Sequence, residues 1–269
     1  MITVVLNVYK RLDYLEEQIK AINNQSVNVS EIIVWQNGTG EKKILNLNPE
    51  IKHIYSSYNF GVWSRFSAAL NSKNEFICVF DDDTIPGKNW IKNCLNTINK
   101  YEGLIGSRGV RFASKKKYIV GEEFGWSNPS EKIEQVDIVG HSWFFKREWL
   151  SYFWKELPNF NKHNFVGEDI HFSYVLQKYL KLNTYVPPHP KNDVSMWGSD
   201  KDLAIKIGTD KYAISYDKLR LEEMNECFLN YIDKGFELNF LENLKIKGVY
   251  LDNKMKIGKY LKKILKNDK

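Results

Sequence analysis

The stretch "FICVFDDDTIP", residues 76–86, joins an apolar run to a cluster of charge. Its first five residues suit a strand buried on both faces. Three carboxylates, Asp81, Asp82 and Asp83, follow at once, then Thr84 and, two residues on, Pro86. A core strand with such an end either runs into a solvated acidic turn, a setting Asp favours, or holds a divalent cation by oxygen ligation. In extended backbone Asp81 and Asp83 would face one side and Asp82 the other. A cation there would let an acidic pocket accept a phosphate group and would act as a Lewis acid on a leaving group.

Upstream of this stretch the pattern alternates. "ITVVLNVY" (2–9) is a β-branched strand, and "RLDYLEEQIKAINNQ" (11–25) spaces Leu12, Leu15, Ile19 and Ile22 as a helix does. "EIIVWQNG" (31–38) and "KHIYSS" (52–57) read as strands, "FGVWSRFSAALNS" (60–72) as a helix, and "EFICVF" (75–80) as the fourth strand. Short strand–helix–strand connections predict an α/β domain with a mostly parallel, doubly wound sheet flanked by helices. Ligands of such sheets sit beyond the carboxyl ends of the strands. Asn7, Gln36–Asn37 and Asp81–Asp83 all fall there.

Downstream, "NWIKNCLNTINKY" (89–101) suits a helix, and 103–112 with 117–126 suit strands or a hairpin. "QVDIVGHSWFFKREWL" (135–150) reads as a strand broken at glycine, then a helix start. "GEDIHFSYVLQKYL" (167–180) is a helix with an acidic pair in its first turn, and "NTYVPPHP" (183–190) a strand stopped by prolines. The turn-rich segment 191–212 reads as a loop with a short helix, placed to close as a lid. Residues 215–235 form a further helix. These boundaries give a main domain over 1–214, a helical extension over 215–253 and a tail over 254–269.

The formal charge of the 269-residue chain is +6, with a pI near 8.9. That excess sits in the tail, where seven lysines face one aspartate, so the body is neutral and no nucleic-acid partner is expected. In the tail Ile257, Tyr260, Leu261, Ile264 and Leu265 share a helical face flanked by lysines. That pattern fits a helix on an anionic membrane surface, or one packed on the domain with its lysines in water. Cys78, Cys94 and Cys227 are far apart, with neither zinc nor disulfide spacing. "MITVVLNVYKR" is too short in apolar residues for a signal peptide, and no run is long enough to span a bilayer. A reducing, cytoplasmic setting, peripheral to the inner face of a membrane if the tail binds lipid, is the expectation.

Four stretches carry a resemblance: "VVLNVYKRLDYLEEQI" (4–19), "IIVWQNG" (32–38), "FDDDTI" (80–85), and "IVGHSWFFKREWLSYF" (138–153) followed by "GEDIHFSYVL" (167–176). Their order resembles the GT-A fold glycosyltransferases with a DxD-type metal site, most closely the exostosin-like catalytic domain, and more broadly the family-2-like enzymes. The resemblance spans about residues 2–190. It implies transfer of a sugar, N-acetylhexosamine first, from a UDP-sugar to a hydroxyl of a glycan or lipid-linked acceptor, with Mn²⁺ or Mg²⁺ as cofactor. The exostosin-like kinship implies retention of anomeric configuration. The family-2-like kinship would instead make Asp169 the general base of an inverting reaction.

By motif, Asp83 resembles the direct metal ligand, with Asp81 beside it, and Asp81 and Asp82 would adjoin the donor's ribose and sugar. Asn37 resembles a position touching uracil or ribose, and Asn59 and Arg65 positions at the nucleotide and its phosphates. Asp169, with Glu168 beside it, resembles the catalytic carboxylate. Each has a plainer reading: Asn37 as a turn former, Arg65 on a solvated helix face, Glu168 and Asp169 as favourable charges at a helix N-terminus. His189 is a candidate metal or diphosphate ligand, and His141 falls where the family has an acceptor-pocket loop. Trp63, Trp126, Trp143 and Trp197 could stack on sugars or fill the core. The resemblance fades after residue 190, and Lys201, Lys211 and Arg220 are the candidates for a basic residue at the diphosphate. A nucleotidyltransferase would carry a Gly-rich basic loop after the first strand, which "NVYKRLDYL" lacks. A non-catalytic carbohydrate-binding protein would not need the acidic cluster and "GED".

Overall fold

The structure is a computed structural model, and it describes residues 1–38, 47–156, 165–208 and 218–238. β1 (Ile2–Val8) is buried at every residue and lies centrally. A single 3₁₀ turn, Leu12–Tyr14, leads into α1 (Leu15–Asn23). β2 (Glu31–Asn37) and β3 (Lys52–Ser56) follow, then α2 (Ser64–Ala69), β4 (Phe76–Phe80) and α3 (Trp90–Lys100). The second half comprises β5 (Gly103–Phe112), β6 (Val120–Gly125), β7 (Glu134–Val136), β8 (Ile138–Lys146), α4 (Leu150–Phe153), α5 (Glu168–Leu180), β9 (Asn183–Val186), α6 (Lys201–Gly208) and α7 (Lys218–Asp233).

The sheet runs β3-β2-β1-β4-β8-β5-β9-β7, with β6 paired to β5. Its first four strands are parallel, as expected. The second half is not: β8 enters antiparallel between β4 and β5, and the pairs β5–β6 and β7–β9 are also antiparallel. A strand buried on both faces reads the same in either direction, so hydrophobic pattern cannot report this reversal. The sheet is mixed, and β8 is set directly beside the acidic end of β4.

Aromatic rings fill the space between the sheet and α2, α4 and α5. Phe66 meets Trp143, Phe145, Phe153 and Phe172 at centroid distances of 4.6–6.1 Å. Trp63 and Trp143 belong to this core; Trp126 and Trp197 form a second cluster with Ala204. All four tryptophans are buried, which leaves none with an open face for stacking. The three cysteines are free and buried. No helix among the described residues is long and apolar enough to cross a membrane.

α7 joins the same core through Phe228 and Tyr231 and approaches the start of α5 closely. Gly167 there adopts φ +90°, and a Cβ on it would lie 2.2 Å from Cys227 Sγ. Gly167→Ala is therefore expected to destabilise the fold by about 1–2 kcal/mol from the left-handed backbone alone, with the clash added to it. Urea melts of Gly167→Ala with and without Cys227→Ala check this. The double variant should recover the clash but not the backbone part; full recovery would remove the conformational argument.

The segment 191–208 is not a free lid. Its backbone is tied to the chain that follows the acidic cluster: Gly87 N donates to Trp197 O (2.9 Å), Asn89 N to Ser195 O (2.7 Å) and Asp200 N to Ile85 O (2.9 Å). The remainder of that loop, Lys211 and the 254–269 tail lie outside the described residues.

Candidate active site

β4 ends at Phe80, and the chain then turns rather than continuing extended: Thr84 N donates to Asp81 O at 3.2 Å. Gln18 of α1, almost wholly buried, braces this turn by donating from Nε2 to Asp81 O (2.7 Å) and Thr84 O (2.9 Å). Asp81 and Asp83 do converge, but through the turn and not through strand alternation. Asp82 points away to cap the loop after β1. It accepts from the backbone N–H of Tyr9 (3.3 Å) and Lys10 (3.4 Å) and from Arg11 Nη1 (2.7 Å).

β8 supplies the third member. Between Trp143 and Gly140 it carries one residue more than β5 does between Gly106 and Arg108, a bulge beside His141. His141 has φ +64°, rare for a non-glycine residue, and its Nδ1 lies 3.5 Å from Asp83 Oδ1. Asp81, Asp83 and His141 each bring one ligand atom within 4.8 Å of the others. The Nδ1 of His141 is buried and finds no hydrogen-bond partner among the described residues. Two carboxylates and an unpartnered imidazole nitrogen fit a divalent cation, and these three residues would hold it. The alternation of a strand could not reveal His141; the signal would have been "VGHS" lying antiparallel to the acidic strand.

Arg65 of α2 connects this group to the N-terminus of α5. Its Nη1 pairs with Asp81 Oδ1 and lies 3.7 Å from Glu168 Oε1. The guanidinium is also 5.0 Å from the ring of Trp143. Arg65 is thus a buried cation among carboxylates, not a residue of a solvated helix face. Its partners, outweighing the burial, raise its pKa further. Arg11, absent from the sequence-based candidates, is the second: Nη1 is 2.7 Å from Asp82 and 3.8 Å from Asp83. Its signal was a basic pair, Lys10–Arg11, just past the end of the strand beside β4.

The carboxylates are set apart by their surroundings. Burial raises Asp81 to about 7, against the pull of Arg65 and with the help of Asp83. Burial likewise raises Glu168 to about 7 and Asp169 to about 6, the latter opposed by the N–H of Ile170, which donates to Asp169 Oδ1 at 2.7 Å. Asp83 goes the other way. Burial opposes its ionisation, but His141, Arg11 and Thr84 together hold it down at about 2.

Asn37 and Asn59 are brought together, but the whole amide of Asn37 and the Oδ1 of Asn59 are engaged within the chain. Asn37 Nδ2 donates to Asn59 Oδ1 (3.2 Å) and Gly61 O (3.0 Å), and its Oδ1 accepts from Phe60 N (2.9 Å). Asn59 Oδ1 also accepts from Gly61 N (2.8 Å). They shape the loop at the ends of β2 and β3. His189 is not brought to the acidic cluster. It is fully buried, with Nδ1 on Pro187 O (2.8 Å) and Nε2 accepting from Gly198 N (3.2 Å), so neither ring nitrogen is left for a metal. Burial accordingly holds it neutral, at about 4. Arg220 pairs with Glu223 of its own helix at 2.6 Å.

Two expectations follow from these charges. Arg65→Met should cost about 3–5 kcal/mol in urea unfolding, because it leaves buried carboxylates without their cation; a loss under about 1 kcal/mol would contradict the ion-pair geometry. The second concerns pH. Asp81 has its folded pKa raised, so its folded-state stability is fully present below its ordinary value of 3.8 and is lost as pH rises through about 7. A divalent cation needs the ionised form, so the rise in melting temperature on adding Mn²⁺ should be large above pH 8 and small below pH 5. Buried His171 and His189 act alike with and without metal and drop out of that difference. An increment independent of pH would count against Asp81 as a ligand.

A strand-end acidic turn, a histidine from the adjacent strand and an acidic helix start meet on this mixed α/β sheet, the arrangement expected of a glycosyltransferase. The model of Glycosyl transferase family 2 matches residues 3–180, and the chain belongs to that family. This is the broader of the two resemblances; the exostosin-like kinship is not part of it. An uncharacterised glycosyltransferase of Haemophilus influenzae is 25% identical over 142 residues, which cover 48% of this chain and 44% of that protein. The match thus spans less than half of that relative's length. Among solved structures, TarS of S. aureus in complex with UDP-GlcNAc aligns at TM-score 0.48 and 13% identity, over 93% of this chain and 76% of that one. The mannosyltransferase PcManGT from Pyrobaculum calidifontis, in complex with GDP-Man and Mn²⁺, aligns at TM-score 0.44 and 15% identity, over 92% and 79%.

Proposed function

We propose that the protein transfers a sugar from a nucleoside diphosphate sugar to an acceptor hydroxyl with inversion, and that Asp169 is the general base. Retention rested on the exostosin-like resemblance, and membership of family 2 favours the inverting alternative. The observation that carries the reading is the continuity made by Arg65: one guanidinium spans from Asp81 of the metal group to Glu168 at the start of α5. The acidic group that would hold a metal and the start of α5, which carries Asp169, are thereby held in one constellation, which supports an in-line displacement.

Bound by Asp81, Asp83 and His141, a divalent cation would offset the donor's diphosphate charge and act as a Lewis acid on the leaving group. Asp169 receives the acceptor's proton on its carboxylate, and a value of about 6 leaves it mostly ionised at neutral pH. The acceptor oxygen bonds to the anomeric carbon, and the nucleoside diphosphate leaves with the bonding electrons. Arg65 balances Asp81 and Glu168, and Arg11 with Asp82 fixes the loop after β1 against the turn.

UDP is the first nucleotide to test and N-acetylhexosamine the first sugar, on a glycan or lipid-linked acceptor. Support for these is the sequence resemblance alone. A donor-hydrolysis screen across nucleotide sugars with Mn²⁺ tests the reading, and product anomers read by NMR test inversion. No hydrolysis of any donor, with no metal-dependent UDP binding, would sink it. A cytoplasmic setting with the 254–269 tail on an anionic membrane is proposed on the tail's pattern, and liposome sedimentation with and without the tail decides it.

A further inference from the structure

α7 takes no part in the mechanism above, yet its contacts bracket the turn that carries Asp169. Cys227 and Tyr231, four residues apart, share one face of the helix and are buried against the start of α5. Gly167 packs its bare Cα against Cys227, where a Cβ would lie 2.2 Å from Sγ. One turn on, the Tyr231 hydroxyl lies 2.8 Å from His171 Nδ1. Gly167 and His171 are themselves one turn apart, with His171 N donating to Gly167 O at 2.9 Å. Glu168 and Asp169 occupy the turn between the two contacts.

The proton positions on His171 follow from its partners. Nε2 lies 2.7 Å from Phe153 O at the end of α4. A carbonyl only accepts, so Nε2 carries the proton, and in the neutral ring Nδ1 accepts from the Tyr231 hydroxyl. Burial holds the ring neutral, at about 4. Trp63 and Phe153 pack edge-to-face on it at 5.1 and 4.7 Å. α7 also holds the β5–β6 connection: Tyr118 N donates to Asn225 Oδ1 at 2.8 Å, and Phe228 meets the rings of Phe112 and Tyr118 at 4.6 and 5.7 Å. Burial foremost, with Asp169 among the further causes, pushes up Tyr118, Cys227 and Tyr231 alike, as a carboxylate lodged near all three would.

We propose that α7 is part of the catalytic scaffold, and that Tyr231, acting through His171, is a positioning residue that sets the first turn of α5 and so the carboxylate of Asp169. The inference rests on the general-base reading of Asp169 above and adds the element that aims the base. A helix start lacks intrahelical partners for its first N–H groups and is commonly braced by a side-chain cap. α5 has none: Gly167 stands at its N-cap, with φ +90° and no side chain to offer. Its direction is fixed from outside instead. Cys227 and Tyr231 hold it from α7, one turn apart, and the Phe153 carbonyl holds the other nitrogen of His171. Without the hydroxyl, His171 Nδ1 would be a buried acceptor with no donor, which the turn could relieve only by shifting. A base displaced by about an ångström can lose up to about 100-fold in rate.

Tyr231→Phe in the full chain removes the hydroxyl and keeps the ring. It should lower kcat roughly tenfold with the donor KM changed by less than about threefold, because the metal group lies outside α5. In an Asp169→Asn background the same change should alter kcat by less than about twofold, since no base remains to be aimed. An equal loss in both backgrounds, or an unchanged kcat in the wild-type background, would overturn the proposal. Hydrogen exchange reads the clamp without turnover. The His171 amide should exchange roughly tenfold faster in Tyr231→Phe, while that of Asn93 in α3, which donates to Asn89 O at 2.9 Å, keeps its rate. Equal acceleration at both would be global loosening and would count against the clamp. If Tyr231→Phe does not fold, Cys227→Ala carries both comparisons through the contact at Gly167. An Asp169→Asn enzyme as fast as wild type would mark failure of the general-base reading instead, and the exchange comparison would still decide the clamp.

Discussion

Asp83→Ala should abolish the metal dependence of nucleotide binding and lower transfer by at least about 100-fold, several kcal/mol of charge stabilisation being at stake. Asp83 carries more of this than its neighbours do, for a reason visible in its surroundings. It is the carboxylate of the cluster held low, at about 2, by His141, Arg11 and Thr84. It is therefore ionised at any working pH and ready for a cation, whereas Asp81 shares its proton up to about 7. Removing it leaves one carboxylate and one imidazole, too few to displace water from a hard cation. Asp83→Asn keeps the shape and an oxygen to accept from Thr84 while removing the negative charge, so it should fall between wild type and alanine. Calorimetric titration of UDP with and without Mn²⁺ reads both variants. Metal-dependent binding of UDP that survives in Asp83→Ala would move the cation elsewhere.

The second large effect is expected from Asp169→Asn: a fall of about 10²–10⁴ in kcat, the range of a lost general base, with the donor KM changed by less than about threefold. The amide oxygen can still accept from Ile170 N, as Oδ1 does at 2.7 Å, so the helix start should hold its geometry. The change removes proton acceptance and little else. In the wild type the rate should rise with pH through about 6 as the carboxylate ionises, and that inflection should vanish in the variant. A kcat within tenfold of wild type would show that another group takes the proton. Glu168→Gln separates the pair. Glu168 lies 3.7 Å from Arg65 and is raised to about 7, so it acts chiefly through the Arg65 network and should shift stability more than the pH profile.

The legible part of the site follows from local physics. The four parallel strands were visible because β-branched apolar runs with turn residues between them can be read in a window of a few residues. The acidic turn and the acidic helix start were visible because charge at the end of a buried strand, or in the first turn of a helix, needs a reason at that place. The helix over 60–72 shrank to Ser64–Ala69, because Asn37 and Asn59 pin the backbone before it through Phe60 and Gly61. The strand expected to break at Gly140 instead breaks at Asp137, whose carboxylate accepts from Phe112 N at 2.7 Å, and bulges at His141. His189 looked available in "PPHP", and only its two committed ring nitrogens show otherwise.

By itself the sequence determined the α/β class, the succession of the first four strands along the chain and the presence of two carboxylate groups at strand and helix ends, since each depends on neighbours a few residues away. Tertiary structure alone decided that β8 runs backwards beside β4, that His141 and Arg11 meet the aspartates, and that Arg65 joins the two acidic groups. Those contacts pair residues 16–103 positions apart in the chain. Their partners are chosen by how the core packs, and no local period in the sequence records that choice.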